Sequence, residues 1–359
     1  MTTSSPRGTP LATPFWLLVC LTCWSHITAS GASAQESPAS SSLADLSIEE
    51  LLEITIFSRE LLGLHHTHPK GEWMLGYSYM DMSMEGNRDG TKVQSVADIL
   101  NAGFLVAPTA MTMKMHMLEI MYGLTDDITL MAMLPHERIS MDHVNGAGSR
   151  FTTNASGVGD LSLSAIYGAF QRGQHRIDVT AGISVPTGSI DQTDGTPLGP
   201  DQQLPYPMQL GSGTYDPVVG ATYLNTGVNW SWGTHVQHTF RLGDNSRDYT
   251  LGDRTHLDVW LARQWAERFA ITGRLNGRVW GNIEGADPAL NPGMVPTADP
   301  TRRGGKTIDI AVGASFYAHT GALAGSRLVV EFAYPAYMSL DGPQLASDAR
   351  LSLGLQWIF

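Results

Sequence analysis

Cysteine is almost absent from this chain. Cys20 and Cys23 are its two cysteines among 359 residues, and both lie close to the start. The remainder therefore has no disulfide scaffold and no zinc site of the type built from cysteine pairs. A P-loop, a dinucleotide fingerprint and a zinc-protease motif are also missing. With 22 Lys and Arg against 34 Asp and Glu, the sequence lacks the positive surface that nucleic-acid binding requires.

Long apolar runs are missing as well. A short one occupies residues 15–21, after the single early charge of Arg7 and before the small residues 32–34. This order is typical of a secretory signal peptide, and the run is too short to span a bilayer. We predict that residues 1–34 are removed, which takes away one arginine and changes the net charge from −12 to −13. No later stretch approaches the ~20 apolar residues of a spanning helix.

What the chain does contain is glycine, 38 residues of it, and a period-two alternation of apolar and polar residues. An exported chain of this kind is either a soluble β-protein or a membrane barrel whose apolar residues are hidden by the alternation. The alternating segments are about twelve: 72–84, 111–123, 127–142, 158–169, 175–186, 214–224, 230–241, 255–265, 269–280, 306–318, 326–335 and 349–359.

The connecting segments favour the barrel, because short links alternate with long polar ones. The long ones are about 85–110, 143–157, 187–213, 242–254, 281–305 and 336–348. Short periplasmic turns and long outer loops are typical of an outer-membrane barrel with both termini in the periplasm. We therefore predict an all-β fold: a single transmembrane antiparallel up-and-down β-barrel of about 12 strands over residues 71–359. Residues 35–70 are predicted to be a periplasmic segment with a short amphipathic helix at 43–52, capped by Ser47.

The last strand shows the expected lipid face most clearly. Leu351, Leu353, Leu355, Trp357 and Phe359 share one parity, and polar or small residues occupy the other. An alternating strand that ends in phenylalanine resembles the insertion signal of bacterial outer-membrane proteins. We predict that Phe359 is read by the barrel-assembly machinery and that outer-membrane lipid and lipopolysaccharide surround the barrel.

The opposite parity turns ionisable side chains into the lumen, since on the lipid face a charge costs about 2–4 kcal/mol at mid-depth. The predicted lumen-lining residues are Glu119, Asp160, Arg176, Asp178, Arg241, Asp258, Arg274, Arg278, Asp309 and Glu331. Arg274 and Arg278 share one face of a strand. These two arginines either select anions in the pore or form ion pairs with neighbouring carboxylates.

Methionine is the anomaly of the composition, with 16 residues, most of them before residue 145. Strand parity turns most of these inward and predicts a Met-lined wall on three adjacent strands. The wall can pass soft Cu(I) or Ag(I), form an adaptable path for hydrophobic molecules, or simply pack the lumen. The candidate metal ligands are Met74, Met80, Met82, Met84, Met111, Met113, Met115, Met117, Met131 and Met133, with His65, His66 and His68 at one mouth. That histidine run is otherwise a solvated tether. Copper is considered as cargo, and no cofactor is predicted.

Four short motifs stand at strand ends and turns. They are residues 123–135, beginning Gly-Leu-Thr-Asp-Asp-Ile-Thr-Leu and ending Leu-Pro; 157–163, Gly-Val-Gly-Asp-Leu-Ser-Leu; 185–188, Val-Pro-Thr-Gly; and 211–216, Gly-Ser-Gly-Thr-Tyr-Asp. With these motifs the chain resembles a family of bacterial outer-membrane barrels named after the MetA pathway of phenol degradation. The likeness runs from about residue 70 to the end. It implies one barrel and the uptake or efflux of small compounds, hydrophobic ones included, and it supplies no catalytic residues.

Three function classes compete. The first is an outer-membrane pore or transporter. The second is a non-transporting structural or adhesive barrel that binds through its acidic, proline-rich outer loops. The third is a lipid-modifying enzyme, for which His235 is the best available base but has no serine partner in a recognisable motif. The pair Arg302 and Arg303 ends an outer loop, where we expect both guanidinium groups to meet lipid phosphate. The sequence favours the first class and predicts no enzyme.

Overall fold

The structure is a computed structural model that describes residues 66–266, 268–318 and 324–359. The predicted signal peptide, the predicted helix at 43–52 and His65 lie outside these residues. Within them, no helix is long and apolar enough to cross a bilayer. The described chain is a large antiparallel sheet that closes on itself, with small hairpins and turns at one end.

The alternating segments form the strands of this sheet, because a period of two gives each strand one apolar and one polar face. The closed sheet contains β1 (Trp73–Gly90), β3 (Val106–Gly123), β4 (Ile128–Asn145), β6 (Leu161–Arg172), β7 (His175–Val185), β10 (Asp216–Thr226), β11 (Trp230–Thr239), β13 (Arg254–Ala266), β14 (Phe269–Trp280), β16 (Gly305–Ala318) and β17 (Ser326–Ile358). Outside the ring lie β2 (Lys92–Gln94), α1 (Val96–Asn101), β5 (Arg150–Val158), β8 (Thr193–Thr196), β9 (Gly199–Gln203), β12 (Tyr249–Thr250) and β15 (Glu284–Gly285).

Strand β17 doubles back on itself. Its 33 residues would reach roughly 110 Å as one straight strand, whereas no other strand of the ring exceeds 18 residues. Its first part pairs with β16, from Ser326 to Leu340, and its last part pairs with β1, ending at Ile358. Eleven straight strands cannot close with antiparallel pairs alone, so the reversal near Leu340 supplies a twelfth pass. The prediction of about 12 strands is confirmed.

Strands β5 and β6 pair with successive parts of the same strand, β4. β5 pairs with the upper part of β4 up to Val158, and β6 continues along its lower part from Ser162. The break between them is at Gly159 and Asp160. The predicted outer loops 143–157 and 336–348 are therefore wrong in part, because both regions are mostly extended strand. The alternation of apolar and polar residues weakens in these segments, because they lie outside the bilayer depth at which one face of a strand must be apolar.

The two ends of the barrel differ in their connections. Short turns at 124–127, 173–174 and 227–229 lie at the end that also carries Trp73 and Phe359, which hydrogen-bond to each other through their backbones. We call this the short-turn end and the other the long-loop end. Long connections at the long-loop end contain α1, β8, β9 and three 3-10 turns: Tyr206–Met208, Pro296–Ala298 and Pro300–Arg302. The predicted alternation of loop lengths is thus present, with local structure inside the loops.

The outer face of the ring is a belt of exposed apolar side chains. Leu118 is 52% exposed, Val312 60% and Phe332 51%, although such residues are normally buried. Their inward neighbours on the same strands, Met121, Ala311 and Ala333, are at most 2% exposed. Continuous exposure of this kind on every strand is what contact with lipid hydrocarbon requires.

Ion pairs fill the interior on the side of β13, β14 and β16. Arg274 pairs with Glu331 and lies 3.4 Å from Asp258, while Arg278 lies 2.7 Å from Asp309. These side chains are 5% to 23% exposed, so the charges are largely desolvated and depend on each other. The sequence left two interpretations for Arg274 and Arg278, and their geometry is that of bridging to carboxylates.

The segment before β1, residues 66–68, packs against the short-turn end. His66, Thr67 and His68 are at most 4% exposed, and the His68 N–H donates to Thr129 Oγ1 at 2.7 Å. Thr67 also accepts a hydrogen bond from Arg176. These are buried contacts with side chains of β4 and β7, so the interpretation of the histidine run as a solvated tether is wrong for residues 66–68.

Candidate functional site

Three of the glycine-containing motifs meet at one point of the fold, which we call the glycine junction. A Cβ on Gly211 would lie 2.5 Å from Asp160 Oδ1 and 2.5 Å from the Gly188 carbonyl oxygen, so only glycine fits. The Asp160 carboxylate accepts the N–H groups of Gly188 at 2.9 Å and Ser212 at 2.8 Å. Asp160, predicted to line the lumen, thus also fixes the ends of the loop between β7 and β10.

The junction determines where that loop goes. Residues 189–210 leave and return at the same place, and their 3-10 turn packs inside the long-loop end of the barrel. Leu204, Met208 and Leu210 are at most 5% exposed and share one apolar cluster with Met111 and Met141. The loop predicted at 187–213 is therefore not an external surface loop alone, since its middle lies over the lumen.

Below this loop lies a cavity of about 350 Å³, which we call the loop-end cavity. Its lining comes from strands all round the barrel and from the loop itself, through Tyr206, Pro207 and Gln209. The thioethers in the lining are Met82, Met84, Met111, Met113, Met141 and Met338, and the guanidinium groups are Arg241, Arg254, Arg278 and Arg303. No aspartate or glutamate is among the lining residues of this cavity.

A second cavity of about 370 Å³, the central cavity, lies further towards the short-turn end. It is lined by Met117 and Met133, by serines of β6 and β7, and by His235, His256 and Asp258. Arg241 and Arg254 line both cavities. The two spaces therefore meet at these arginines and together occupy much of the barrel interior.

The structure places the predicted methionines on one wall, which we call the methionine wall. Met80, Met82 and Met84 of β1 stand directly opposite Met115, Met113 and Met111 of β3, and Met111 stands opposite Met141 of β4. Met74 and Met131 pack with Met121 in a separate apolar cluster nearer the short-turn end. Met117 and Met133 line the central cavity. Whether any of these thioethers binds a metal stays a prediction.

The predicted lumen charges divide into three groups. Arg241 lines both cavities and pairs with the buried Asp216, and Asp160 and Asp258 line the central cavity. Arg274, Arg278, Asp309 and Glu331 form the ion pairs of the opposite wall. The others lie apart: Arg176 and Asp178 pair at 2.9 Å near the N-terminal segment, and Glu119 covers Gly76 on the inner face of β1.

Sequence reasoning missed Arg254 and Arg303. Arg254 was assigned to a loop, yet it continues the inward parity of His256 and Asp258 by one residue, and this extension is the signal that finds it. Arg303 was expected to meet lipid phosphate. That expectation is wrong, because Arg303 lines the loop-end cavity and its Nη1 is buried. Arg302 is also engaged inside the protein, 3.0 Å from Asp299 and 2.6 Å from the Gly342 carbonyl oxygen.

Burial changes the titration of two loop residues beside this cavity. Desolvation lowers the pKa of the Arg303 guanidinium to about 10, against the opposing effect of nearby Asp299. Desolvation raises the pKa of Tyr249, which packs edge-on against Tyr206, to about 12. Both shifts reflect the burial of these two side chains in the loops of the long-loop end.

The histidines form no metal site in the part of the chain described. No group of three or more His, Cys, Asp or Glu side chains there is arranged to hold a metal ion. The rings of His66 and His68 contact each other in a tilted arrangement with centroids 4.5 Å apart, and His68 Nδ1 lies 2.5 Å from Glu72 Oε1. His235, the candidate enzymatic base, is 3% exposed in the lumen and its Nδ1 lies 2.8 Å from Thr222 Oγ1.

A known structure shares this architecture. An outer membrane channel from Pseudomonas putida F1 superposes with a TM-score of 0.59 at 17% identity, covering 83% of this chain and 98% of that one. The transport unit of the autotransporter AIDA-I from Escherichia coli gives a TM-score of 0.44 at 10% identity, covering 86% and 96%. No curated protein sequence matches the chain.

A closed antiparallel ring with an apolar outer belt and a charged, cavity-containing interior defines the class of outer-membrane-type β-barrels. Within this class, residues 136–319 match the family described as "Putative MetA-pathway of phenol degradation". The match covers just over half of the 359 residues, and the chain belongs to this family. The matched residues include the glycine junction, so three of the four motifs that carried the resemblance also fold the loop into the lumen, whereas the motif at 123–135 lies outside the match.

Proposed function

We propose that this protein resides in the outer membrane and is a channel for small molecules, apolar ones in particular. Its outer belt supports the location, because a belt of exposed apolar side chains requires lipid. The location also agrees with a signal peptide on residues 1–34 and with insertion by the barrel-assembly machinery through Phe359. Lipopolysaccharide would contact the outer rim.

The observation that carries the proposal is the pair of cavities inside the ring. They meet at Arg241 and Arg254 and extend from beneath the loop turn Tyr206–Met208 towards the short-turn end. A purely structural barrel needs no interior space, and small barrels of that kind fill it with side chains. The loop turn lies across the space, so passage requires that turn to move.

The chemistry of the lining favours an organic cargo over a soft metal ion. Thioethers suit both Cu(I) and flexible apolar contact. However, four guanidinium groups share the loop-end cavity with the methionines, and none of the lining residues is acidic. A monovalent cation would meet the guanidinium groups of Arg254 and Arg303, which have no ion pair among the described residues, whereas an apolar molecule carries no charge for them to repel.

Planar-bilayer conductance and solute uptake of the reconstituted protein test the proposal. Met113→Trp places a bulky ring in the loop-end cavity, and Leu118→Trp places the same ring on the lipid face of the same strand. We expect the first variant to lower conductance and uptake several-fold and the second to leave both unchanged. A wild-type barrel that conducts nothing and admits no solute would contradict the proposal and favour an adhesive or structural role.

The adhesive or structural alternative requires acidic loop residues that are free to bind partners. Two of them are already engaged: Asp287 is 2% exposed beside Arg247, and Asp299 caps a turn through the Thr301 N–H at 3.0 Å. His235 lies in the lumen rather than at a lipid-facing rim, which gives the enzymatic alternative no support. The channel is therefore proposed to act without catalysis.

A further inference from the structure

The loop-end cavity is lined by four guanidinium groups and by no carboxylate. Arg241 has Asp216 as its partner, and Arg278 has Asp309. Asp309 also lies 3.5 Å from Arg350, so one carboxylate serves two guanidinium groups. No carboxylate lines this cavity, and Arg254 and Arg303 are the two lining arginines without an ion pair among the described residues.

Arg254 is the first of these remaining arginines. Among the residues that the structure describes, its side chain makes no hydrogen bond and no ion pair within 4.0 Å. Its electrostatic neighbours are Arg241 and Arg278, which repel it, and Glu137, which attracts it. All five N–H donors of this guanidinium are thus available where the two cavities meet.

Arg303 is the second. Its Nη1 is buried and, in the described part of the chain, has no hydrogen-bond partner. Its backbone is held firmly, because its N–H donates to Asn282 Oδ1 at 2.7 Å and its carbonyl accepts from Trp280 Nε1 at 2.5 Å. A buried guanidinium donor without an acceptor costs free energy, and a bound anion would remove that cost.

The methionine wall lies across the lumen from the strand that carries Arg254. From β3 to β13 the ring passes through β4, β6, β7, β10 and β11 in one direction. In the other it passes through β1, the two passes of β17, β16 and β14. The strands that carry Met111 and Arg254 are therefore diametrically opposed. The cavity between them has one cationic and one apolar side.

We propose that the loop-end cavity binds amphiphilic organic anions, with the anionic head on Arg254 and Arg303 and the apolar body against the methionine wall. This assignment rests on the proposed channel function and specifies its cargo class. Its volume of about 350 Å³ is within the range of small-molecule sites. A planar carboxylate matches the guanidinium fork, and flexible thioethers adapt to apolar bodies of different shape.

Three probes with one phenylbutyl skeleton and different heads test the proposal: phenylbutyrate, phenylbutanol and phenylbutylammonium. Calorimetric titration of the purified full barrel in detergent measures each affinity. We expect the acid to bind about tenfold or more tightly than the alcohol, the difference expected for a charge-assisted hydrogen bond, and the amine to bind most weakly. This preference should decrease as salt is added.

Variants locate the head group. Arg254→Met should remove most of the preference for the acid while the alcohol affinity stays within about twofold, and Arg254→Lys should retain part of the preference. Arg263→Met is the matched control, because Arg263 lies on the same strand but packs outside the barrel over Trp230 at 5.1 Å and Trp265 at 4.8 Å. Arg303→Met should also weaken the acid selectively.

Equal affinity of the wild-type barrel for the acid and the alcohol overturns the proposal without need of any variant. So does a preference that survives both Arg254→Met and Arg303→Met. The channel proposal fails separately: a barrel that binds phenylbutyrate but conducts nothing contradicts the channel and leaves the cargo class standing. A barrel that conducts but shows no preference for the acid contradicts the cargo class and leaves the channel proposal standing.

Discussion

Strands β1, β3 and β4 turn thioethers into the lumen, whereas β13, β14 and β16 turn in arginines and carboxylates. Both walls follow the same inward parity, and both face the same two cavities. The methionine wall keeps its shape through apolar contacts that tolerate substitution. The charged wall depends on partners that cannot be removed singly. The deformable methionine wall and the ion-paired wall thus lie on opposite sides of one barrel.

The comparison predicts the largest effect on the charged wall. Arg274→Met removes the partner of Glu331 and the cation beside Asp258, leaving two buried carboxylates without it. We expect a loss of about 3–5 kcal/mol in the free energy of unfolding, the usual result of breaking a buried ion pair. Urea unfolding in detergent measures it, with Arg263→Met on the outer face as control. Equal stability of the two variants would show that the ion pairs are dispensable.

The second prediction concerns the glycine junction, which holds the loop between the walls. Gly211→Ala forces a methyl group against Asp160 and Gly188, and we expect a cost of about 1–3 kcal/mol. The loop should also become easier to cleave by a protease added from outside. Gly146→Ala is the matched control, since a Cβ added there would meet no other atom within 4 Å. Unchanged cleavage in Gly211→Ala would contradict the role given to the junction.

A smaller effect is expected where the outer hairpin β8–β9 meets β5. Hydrogen bonds from the backbone N–H groups of Asn154 and Gly195, both 2.7 Å long, lower the pKa of Asp194. The stabilisation is present above the carboxyl's ordinary pKa and is lost as pH falls through the lowered one. The protection of the Asn154 amide against hydrogen exchange, measured relative to its intrinsic exchange rate at each pH, should therefore decrease in acid. Asp194→Asn should remove this acid dependence; if the dependence persists, another group is responsible.

The smallest effect is predicted for the methionine wall. Replacing Met80, Met82, Met113 and Met115 by leucine conserves volume and costs less than about 1.5 kcal/mol at each position. Copper accumulation and copper sensitivity of cells that carry the quadruple variant should match wild type, because the opposing arginines disfavour a cation. A clear decrease in copper accumulation would instead support a thioether path for Cu(I).

The sequence predicted the strands well where lipid contact imposes strict alternation. β14 was predicted with its observed bounds, 269–280, and Leu118 and Met121 were assigned to the correct faces. It failed beyond the belt, where β5 and the extended residues on both sides of the β17 reversal were read as loops. There water can meet either face, so the alternation that marks a strand is no longer required.

The candidate site was predictable in part. Parity alone identified the methionine wall and most lumen charges, including Arg241 and Arg278. Arg303 was not predictable, because the direction of a loop residue depends on contacts with Asn282 and Trp280 that are close in space and distant in sequence. Likewise, no local pattern shows that Asp160 joins two loop ends.

By itself the sequence determined which side chains face lipid and which face the lumen, because a period of two leaves each strand only that choice. The tertiary structure alone decided which inward residues share a cavity and which arginines have no ion pair with another described residue. Closure of the ring sets the methionines opposite the arginines, and the glycine junction folds a loop over both. These are distances between remote parts of the chain, and they exist only once the barrel has closed.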